Sequence, residues 1–599
     1  MRSLFSLFQY FGRHRLRTIS GFVFILLANL FKTYNPSVVR QAIDKVVGIL
    51  KTQHSGSSEI PDQIFSASLW FILLYVGVAL LEGLFTFLMR QTIIVVSRLI
   101  ENDIKADMYA HYQQLDLAFY RKNNTGDLMN RITEDVSRVR MFLGPSLMYS
   151  ANLVCMFVLC TVAMIRVNAE LALYTLLPLP FLSLLIYLLN YRIEKASDSL
   201  QKKLSDITTN AQESYSGIRV IQNYVQEKAM IGFFSRESES YKKDSLQLAR
   251  IESFYFPLIL FLVGLCMAII VYTGGRLVMA HQVSIGNIVE FIMYLNMLTF
   301  PVSALGWAVS LTQRAAVSMR RINEFFHQQP TVWNSNGERK EMKGTISFHE
   351  VDFVYPDTGI RALKKVSFTI PAGERWALIG RTGSGKSTVA DLLMRMYDVT
   401  GGSITIDGLD IRQWETGALR RQIGYVPQDV FLFSETIADN IAFGLSDTNL
   451  EEVKKYAGYA SVAAEIDRFP QGYDTMVGER GVTLSGGQKQ RISIARALIK
   501  KPAVLLLDDC LSAVDAATEK EIERNLDEVI RGKTSLVITH RIFALMHFHR
   551  ILVIDDGEIA EQGTPDELMG KNGIYAGIFR KQMLERAERN AVYQGNLDN

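Results

Sequence analysis

The residues best suited to chemistry lie in the second half of the chain. Gly380, Arg381, Thr382, Gly383, Ser384, Gly385, Lys386 and Ser387 spell G-x-x-x-x-G-K-S, and Thr388 follows. The apolar run RWALIG precedes the loop as a strand would, and STVADLLMRMY continues it with helical spacing. Strand, glycine-rich loop and helix start are the context this motif requires. Glycines let backbone N–H groups wrap a phosphate chain, and a helix start favours negative charge. Lys386 reaches the β- and γ-phosphates, and the Ser387 hydroxyl suits Mg²⁺. The implied chemistry is the binding of ATP. Downstream, Val504–Leu507 in KPAVLLLDD reads as a buried parallel strand ending at Asp508, an acid suited to hold the magnesium shell. An acid that merely caps a strand is the plainer alternative, and the phosphate loop weighs against it. Between these motifs, Leu484, Ser485, Gly486, Gly487 and Gln488 join two glycines to the helical ISIARAL. That is a second place where backbone N–H groups and a helix start could meet a phosphate.

These loops need a parallel-sheet domain to hold them, and the rest of the chain must be something else. At about 150 residues per domain, 599 residues exceed any single small unit. Hydrophobic residues make up 48% and charged residues 21%, with a mean hydropathy of +0.11, so one apolar part is averaged with one polar part. The 64 Lys and Arg against 61 Asp and Glu leave a net charge of +3, too near neutral for a nucleic-acid binder working through bulk charge. Cys155, Cys160, Cys266 and Cys510 are scattered, without the spacing of a disulfide framework or a zinc site, and read as small core or lipid-facing residues.

The apolar part is the first half. A membrane span needs about 20 apolar residues. Phe65–Met89, Leu147–Ile165, Leu171–Leu189, Phe256–Tyr272 and Ile285–Trp307 approach or exceed that length, and Ile19–Val39, interrupted by Lys32, Asn35 and Pro36, is the weakest of six expected spans. A secretory signal peptide is the competing reading of the amino terminus, although no small-x-small cleavage site follows its apolar stretch. Before it, SLFSLFQYF and GRHRLR suit an amphipathic segment at the membrane surface. Lys and Arg crowd the amino terminus, Arg90–Arg140 and Tyr191–Arg250, which places these segments on the cytoplasmic side. Both long connections show helical spacing, so the spans are expected to continue as helices beyond the membrane. Glu82 within a span is either a substrate or coupling contact or a hydrogen-bonding partner that fixes helix packing. Pro178, Pro180, Pro257 and Pro301 read as kinks. The expected fold is an α-helical membrane domain with six transmembrane helices extended into the cytoplasm, followed by an α/β P-loop ATPase domain. Its boundaries are 1–326 for the membrane domain, 327–343 for a polar linker, 344–582 for the ATPase domain and 583–599 for a polar tail.

The ordered motifs, preceded by six spans in one chain, resemble the ATP-binding cassette family and its exporter-type half-transporters, over essentially the whole sequence. The resemblance implies a dimer of cassettes that sandwiches two ATP molecules, each held by one subunit's phosphate loop and the other's LSGGQ. It implies that Tyr355 stacks on adenine, that Gln428 in GYVPQDVFLF lies near Mg²⁺ and the attacking water, and that His540 in VITHR contacts the γ-phosphate. Ser512, Ala513, Val514 and Asp515 resemble the loop that communicates across the dimer, and Gly478, Glu479, Arg480 and Gly481 the segment that contacts cytoplasmic helices. FYRKNNTGDLMNRITEDV and YSGIRVIQNY resemble the family's two coupling loops.

One residue departs from the pattern. The position after Asp508 is normally a glutamate that orients or deprotonates water, and here it is Asp509, one methylene shorter. A general base tolerates little misplacement, so hydrolysis at this chain's own site is expected to be slow, unless backbone adjustment or a bridging water restores reach. In the family such an aspartate typically marks one member of a heterodimer, with a homodimer as the alternative. The expected protein is therefore an ATP-driven exporter of lipophilic compounds, drugs or lipids, using ATP and Mg²⁺, multi-pass in a bacterial inner membrane with its cassette in the cytoplasm. Phe71, Phe85, Phe291, Tyr294 and Trp307 would suit such cargo, although most are expected to serve packing. The rival reading is an ATP-gated regulator or channel-like membrane protein.

Overall fold

A computed structural model describes residues 2–52, 60–332, 336–445, 447, 449–478, 484–511, 514, 516–540 and 548–595. The chain forms two compact units. One comprises Met1–His111 with Gly126–His327, the other Tyr112–Thr125 with Gln328–Asn599. The division is thus not one cut in the sequence, because a short segment inside the first half belongs with the second.

The first unit is helical. Its main helices are Arg15–Thr52, Ile60–Gln114, Leu147–Val167, Pro178–Ser216, Glu227–Met279 and Ile285–Phe326. Among the described residues, five helical stretches are long and apolar enough to cross a membrane: Arg15–Leu50, Ile64–Gln114, Thr125–Val167, Ala169–Ser216 and Glu227–Met279. The sixth expected span falls in Ile285–Phe326, whose described apolar stretch, Ile285–Thr299, is shorter. A 55-residue helix such as Ile60–Gln114 is about 80 Å long at the α-helical rise, far more than the hydrocarbon core of about 30 Å. Its polar end carries matched charges, as where Lys105 meets Glu101 at 3.0 Å. Pro178 does interrupt its span: one helix ends at Leu176 and the next begins at Pro178, whereas Pro257 lies within an uninterrupted helix. At the amino terminus, Leu7 and Tyr10 are buried while Phe5 and Phe8 face outward, as an amphipathic surface segment requires. Met156, Cys160, Ile186, Cys266, Phe291 and Tyr294 form the main apolar core, so Phe291 and Tyr294 serve packing. Glu82 accepts a hydrogen bond from Asn35 Nδ2 at 3.1 Å, tying two span helices together.

The second unit is a two-sheet α/β fold. The smaller sheet, ordered β2 (Arg361–Ile370), β1 (Ile346–Val354), β4 (Gly401–Ile406) and β5 (Leu409–Asp410), is antiparallel. The larger runs β10 (Glu558–Gly563), β9 (Arg550–Asp555), β3 (Arg375–Gly380), β8 (Thr534–Ile538), β7 (Val504–Asp508) and β6 (Ile423–Val426), all parallel except the edge strand β10. Every residue of β7 is buried, which is why VLLLD carries no polar alternation. Phe348, Phe368, Trp376, Leu393, Ile404, Trp414 and Leu506 fill the core shared by the sheets. Residues 583–595 continue the helix Ile574–Gly595.

Candidate nucleotide site

Strand register assembles the site. Ile538 at the end of β8 pairs with Leu378 of β3 on one side and Asp508 of β7 on the other. The loop after β3, the acids at the end of β7 and His540 after β8 therefore emerge together at the carboxyl edge of the parallel strands, where open α/β sheets bind ligands.

The phosphate loop runs from Gly380 into the helix Lys386–Leu393. Two of its glycines are dictated by space. Gly385 has φ 100°, and a Cβ there would lie 2.5 Å from the Ala362 carbonyl oxygen; a Cβ on Gly380 would run into the Ile554 carbonyl oxygen. Lys386 is buried, and its Nζ donates to the carbonyl oxygens of Gly380 at 3.0 Å and Arg381 at 2.7 Å, which holds the loop around its ammonium. Burial depresses the Lys386 pKa, and Asp508 and Asp509 pull it back upward. Asp508 is buried at the strand end, which pushes its pKa up; a hydrogen bond from Ser387 and the charge of Lys386 oppose that, while Asp509 adds to it. Loss of solvation, then Lys386, hold His540 below its usual pKa against the pull of Asp509 and Asp508, which favours a neutral imidazole at pH 7. Lys386, Ser387, Asp508, Asp509 and His540 are thus brought into one electrostatic cluster. Gln428 is exposed on the turn after β6, and no hydrogen bond among the described residues ties it to Ser387 or Asp508.

Tyr355 is half-buried beside this cluster, its hydroxyl 2.9 Å from Thr388 Oγ1. Sequence reasoning missed its neighbours. The Arg121 guanidinium lies 5.3 Å from the Tyr355 ring centroid and 5.7 Å from that of Tyr397, and 3.9 Å from Asp391. Arg121 sits on the short helix Leu117–Lys122, which Asp116 caps by accepting from Phe119 N at 3.1 Å; Asp116 also accepts from Thr331 N at 2.6 Å. Burial pushes Asp391 up to about 6, against the pull of Arg121. No spacing rule links residues so far apart in sequence; only an arginine beside aromatics in FYRK hinted at a cation over a ring.

Leu484–Gln488 opens the helix Gly486–Ile499 through a capping box: Ser485 Oγ accepts from Gln488 N, and Gln488 Oε1 accepts from Ser485 N at 2.9 Å. Gln488 Nε2 donates to Glu465 at 2.9 Å, and Arg491 pairs with the same carboxylate at 2.7 Å. Among the described residues, no hydrogen bond or ion pair connects this segment with the phosphate loop. Gly478 and Val514 are described; Glu479, Arg480, Gly481, Ser512, Ala513 and Asp515 lie outside the described residues.

Comparison with known proteins agrees with this anatomy. Residues 18–302 match the ABC transporter transmembrane region, and residues 363–512 match the ABC transporter cassette family. The chain is 35% identical over 583 residues to a Bacillus subtilis protein named "Probable multidrug resistance ABC transporter ATP-binding/permease protein YheI", covering 97% of each chain. It is 33% identical over 507 residues to the ATP-dependent lipid A-core flippase of Pseudomonas fluorescens, covering 84% of each. A solved bacterial Atm1-family ABC exporter with ATP bound superposes with a TM-score of 0.78 at 27% identity, over 95% of this chain and 99% of that one. The chain belongs to the ATP-binding cassette exporters, as a multi-pass half-transporter that carries one membrane domain and one ATPase cassette.

Proposed function

We propose that this exporter moves lipophilic compounds, drugs or lipids, across a bacterial inner membrane as one half of a dimer, and that its own ATP site turns over weakly. The observation that carries the dimer is that, among the described residues of one chain, the phosphate loop at Gly380–Thr388 and Leu484–Gln488 are joined by no hydrogen bond or ion pair. Each offers backbone N–H groups at a helix start, and a second subunit would complete both sites. The names of the relatives, a multidrug resistance transporter and a lipid A-core flippase, favour lipophilic cargo.

In this reading Tyr355 stacks on adenine, Lys386 and the loop amides hold the phosphates, and Asp509 orients water with His540 at the γ-phosphate. Ser387, whose hydroxyl donates to the Asp508 carboxylate, and Asp508 itself are oxygen ligands of the kind that would hold Mg²⁺, with Gln428 as a further one. Bound there, Mg²⁺ would neutralise charge on the phosphates. ATP drives transport only by binding the joined cassettes better than the separated ones. Asp509 makes the heterodimer the favoured assembly, with the partner's phosphate loop and this chain's Leu484–Gln488 forming the competent site. The same residue favours the second reading, an ATP-gated regulator or channel.

Inverted vesicles containing the complex separate the two. The exporter reading expects ATP-dependent accumulation of a lipophilic dye, lowered by Lys386→Ala and abolished when the partner's phosphate-loop lysine is replaced, with dye-stimulated hydrolysis. Nucleotide-dependent ion conductance without matching turnover would replace it with the gated reading.

A further inference from the structure

The helix Ile574–Gly595 reaches the nucleotide site from outside the motifs that compose it. Its first turn is docked on the larger sheet. Glu561 of β10 accepts from Tyr575 N at 3.1 Å, and Tyr575 is fully buried with Ile379 of β3 and Val553 of β9, Ile578 packing against the same core. β3 is also the strand that delivers the phosphate loop, so helix and loop share one frame. Residues four and seven apart lie on one helix face, which puts Gln582 in line with Ile578 and Tyr575. Gln582 Nε2 donates to the His540 carbonyl oxygen at 2.6 Å.

That contact falls where the support of the sheet ends. The main chain before His540 is held on both sides, Asp509 N donating to Ile538 O at 2.9 Å and Thr539 N to Leu378 O at 3.2 Å. His540 is the next residue, and among the described residues the bond from Gln582 is the one hydrogen bond to its main chain. Packing does not replace it. His540 is exposed, and a cavity of about 630 Å³ opens beside it, with Gly380, Arg381, Thr382, Ile578 and Gln582 also in its lining. A donor on the carbonyl fixes the peptide plane that leaves His540, and the planes on either side of a Cα set where its side chain points. We propose that Gln582 is a positioning residue: anchored through its docked helix, it holds the His540 main chain so that the imidazole meets the γ-phosphate of a nucleotide on the phosphate loop, and so gives this cassette its preference for ATP over ADP. The proposal rests on the reading of His540 as the residue that contacts that phosphate. A misplacement of about 1 Å is enough to forfeit much of such a contact.

The preference is measured on the full chain with any co-purifying partner, with Mg²⁺ and on ice, as displacement of an azido-ATP photolabel from this chain by ATP or by ADP. Gln582→Met, which keeps the length of the side chain and removes the donor, should weaken ATP about fivefold, the worth of one ordinary hydrogen bond, and leave ADP unchanged. His540→Ala should weaken ATP about tenfold, because the group it meets is charged. Residues that act as one unit are not additive, so Gln582→Met added to His540→Ala should change nothing further. If Gln582→Met fails to fold, Gln582→Ala, which also lacks the donor, carries the comparison. Equal weakening of ATP and ADP would make Gln582 a prop of the fold and overturn the proposal. A Gln582→Met effect that persists in His540→Ala overturns it too, as does unchanged ATP binding in Gln582→Met where His540→Ala weakens it. If His540→Ala itself leaves the preference unchanged, the γ-phosphate reading of His540 falls, and the proposal with it.

Discussion

Asp509 adopts φ 44°, a left-handed conformation that costs a non-glycine residue about 1–2 kcal/mol, and its backbone N–H donates to the Ile538 carbonyl oxygen at 2.9 Å. A backbone held by both a special conformation and the neighbouring strand has little freedom to move forward by the length of a methylene. Both features support the proposal that the shorter reach of this carboxylate is not made up by the backbone. Restoring the methylene with Asp509→Glu should raise the rate of hydrolysis at this chain's own site, at saturating ATP, by about tenfold, a modest share of what a positioned base supplies. An unchanged rate with the native partner present would sink the catalytic deficit. Asp391 allows a second prediction at this scale. Its carboxyl is pushed up by burial to about 6 from 3.8, so the folded chain binds the extra proton between these pH values. The cost of burying the charge is absent below about pH 4 and complete above about pH 6, with an upper bound of about 3 kcal/mol. Without nucleotide, Asp391→Asn should unfold up to several degrees higher at pH 7.5 and keep about a third of that difference at pH 4.5, measured by the cassette's thermal transition.

Among the elements, the short helix Leu117–Lys122 is the clearest case of a segment whose place was set by contacts rather than by sequence position. Asp116 caps it and binds Thr331 through both the backbone N–H and the side-chain hydroxyl. Burial works to raise the Asp116 pKa, but the hydrogen bonds from Thr331 and the helix outweigh it and hold the carboxyl below its usual range. This contribution is present above the ordinary carboxylate pKa and lost as pH falls through the depressed one. Asp116→Ala should cost about 1–2 kcal/mol locally and speed amide exchange over residues 117–122 about tenfold, with Asp116→Asn recovering most of the cap. Exchange unchanged in the alanine variant would mean the helix is held by Leu117 and Ala118 against the cassette core alone. The membrane helices were legible because long apolar runs and charged ends are local signals, and the phosphate loop because a glycine between strand and helix has few other uses. The join of Tyr112–Thr125 to the cassette unit, and the Arg121, Tyr355 and Asp391 group, were not, since each is a pairing of side chains that no periodicity records. Of the prolines that read as kinks, Pro178 stands where one helix stops and the next begins and Pro257 stays within one helix, a difference no local spacing records, because a proline's effect depends on which neighbouring groups satisfy the carbonyl it frees.

For the whole molecule, the question is how, if Asp509 is the weak base proposed above, the chain would drive a transport cycle. Its binding residues are intact: Lys386 holds the loop, Ser387 and Asp508 are paired, and Leu484–Gln488 is preorganised by its capping box. An equilibrium moves only by the difference in a ligand's affinity for two states, so ATP at this chain's own site can hold two cassettes together without being hydrolysed there. On the proposed heterodimer reading, release would come from a second site with a full-length base. That site would combine this chain's Leu484–Gln488 with a phosphate loop from a subunit that carries glutamate at the position of Asp509. Native mass spectrometry of the complex, extracted gently from its source membrane, should therefore show this 67.7 kDa chain with one similar but distinct chain. In that complex, Lys→Ala in the partner's phosphate loop should abolish turnover, while Lys386→Ala here should lower it less, because only the first site drives release. A complex of two identical chains would remove the asymmetry. Both sites would then carry Asp509, and Asp509→Glu would accelerate both equally.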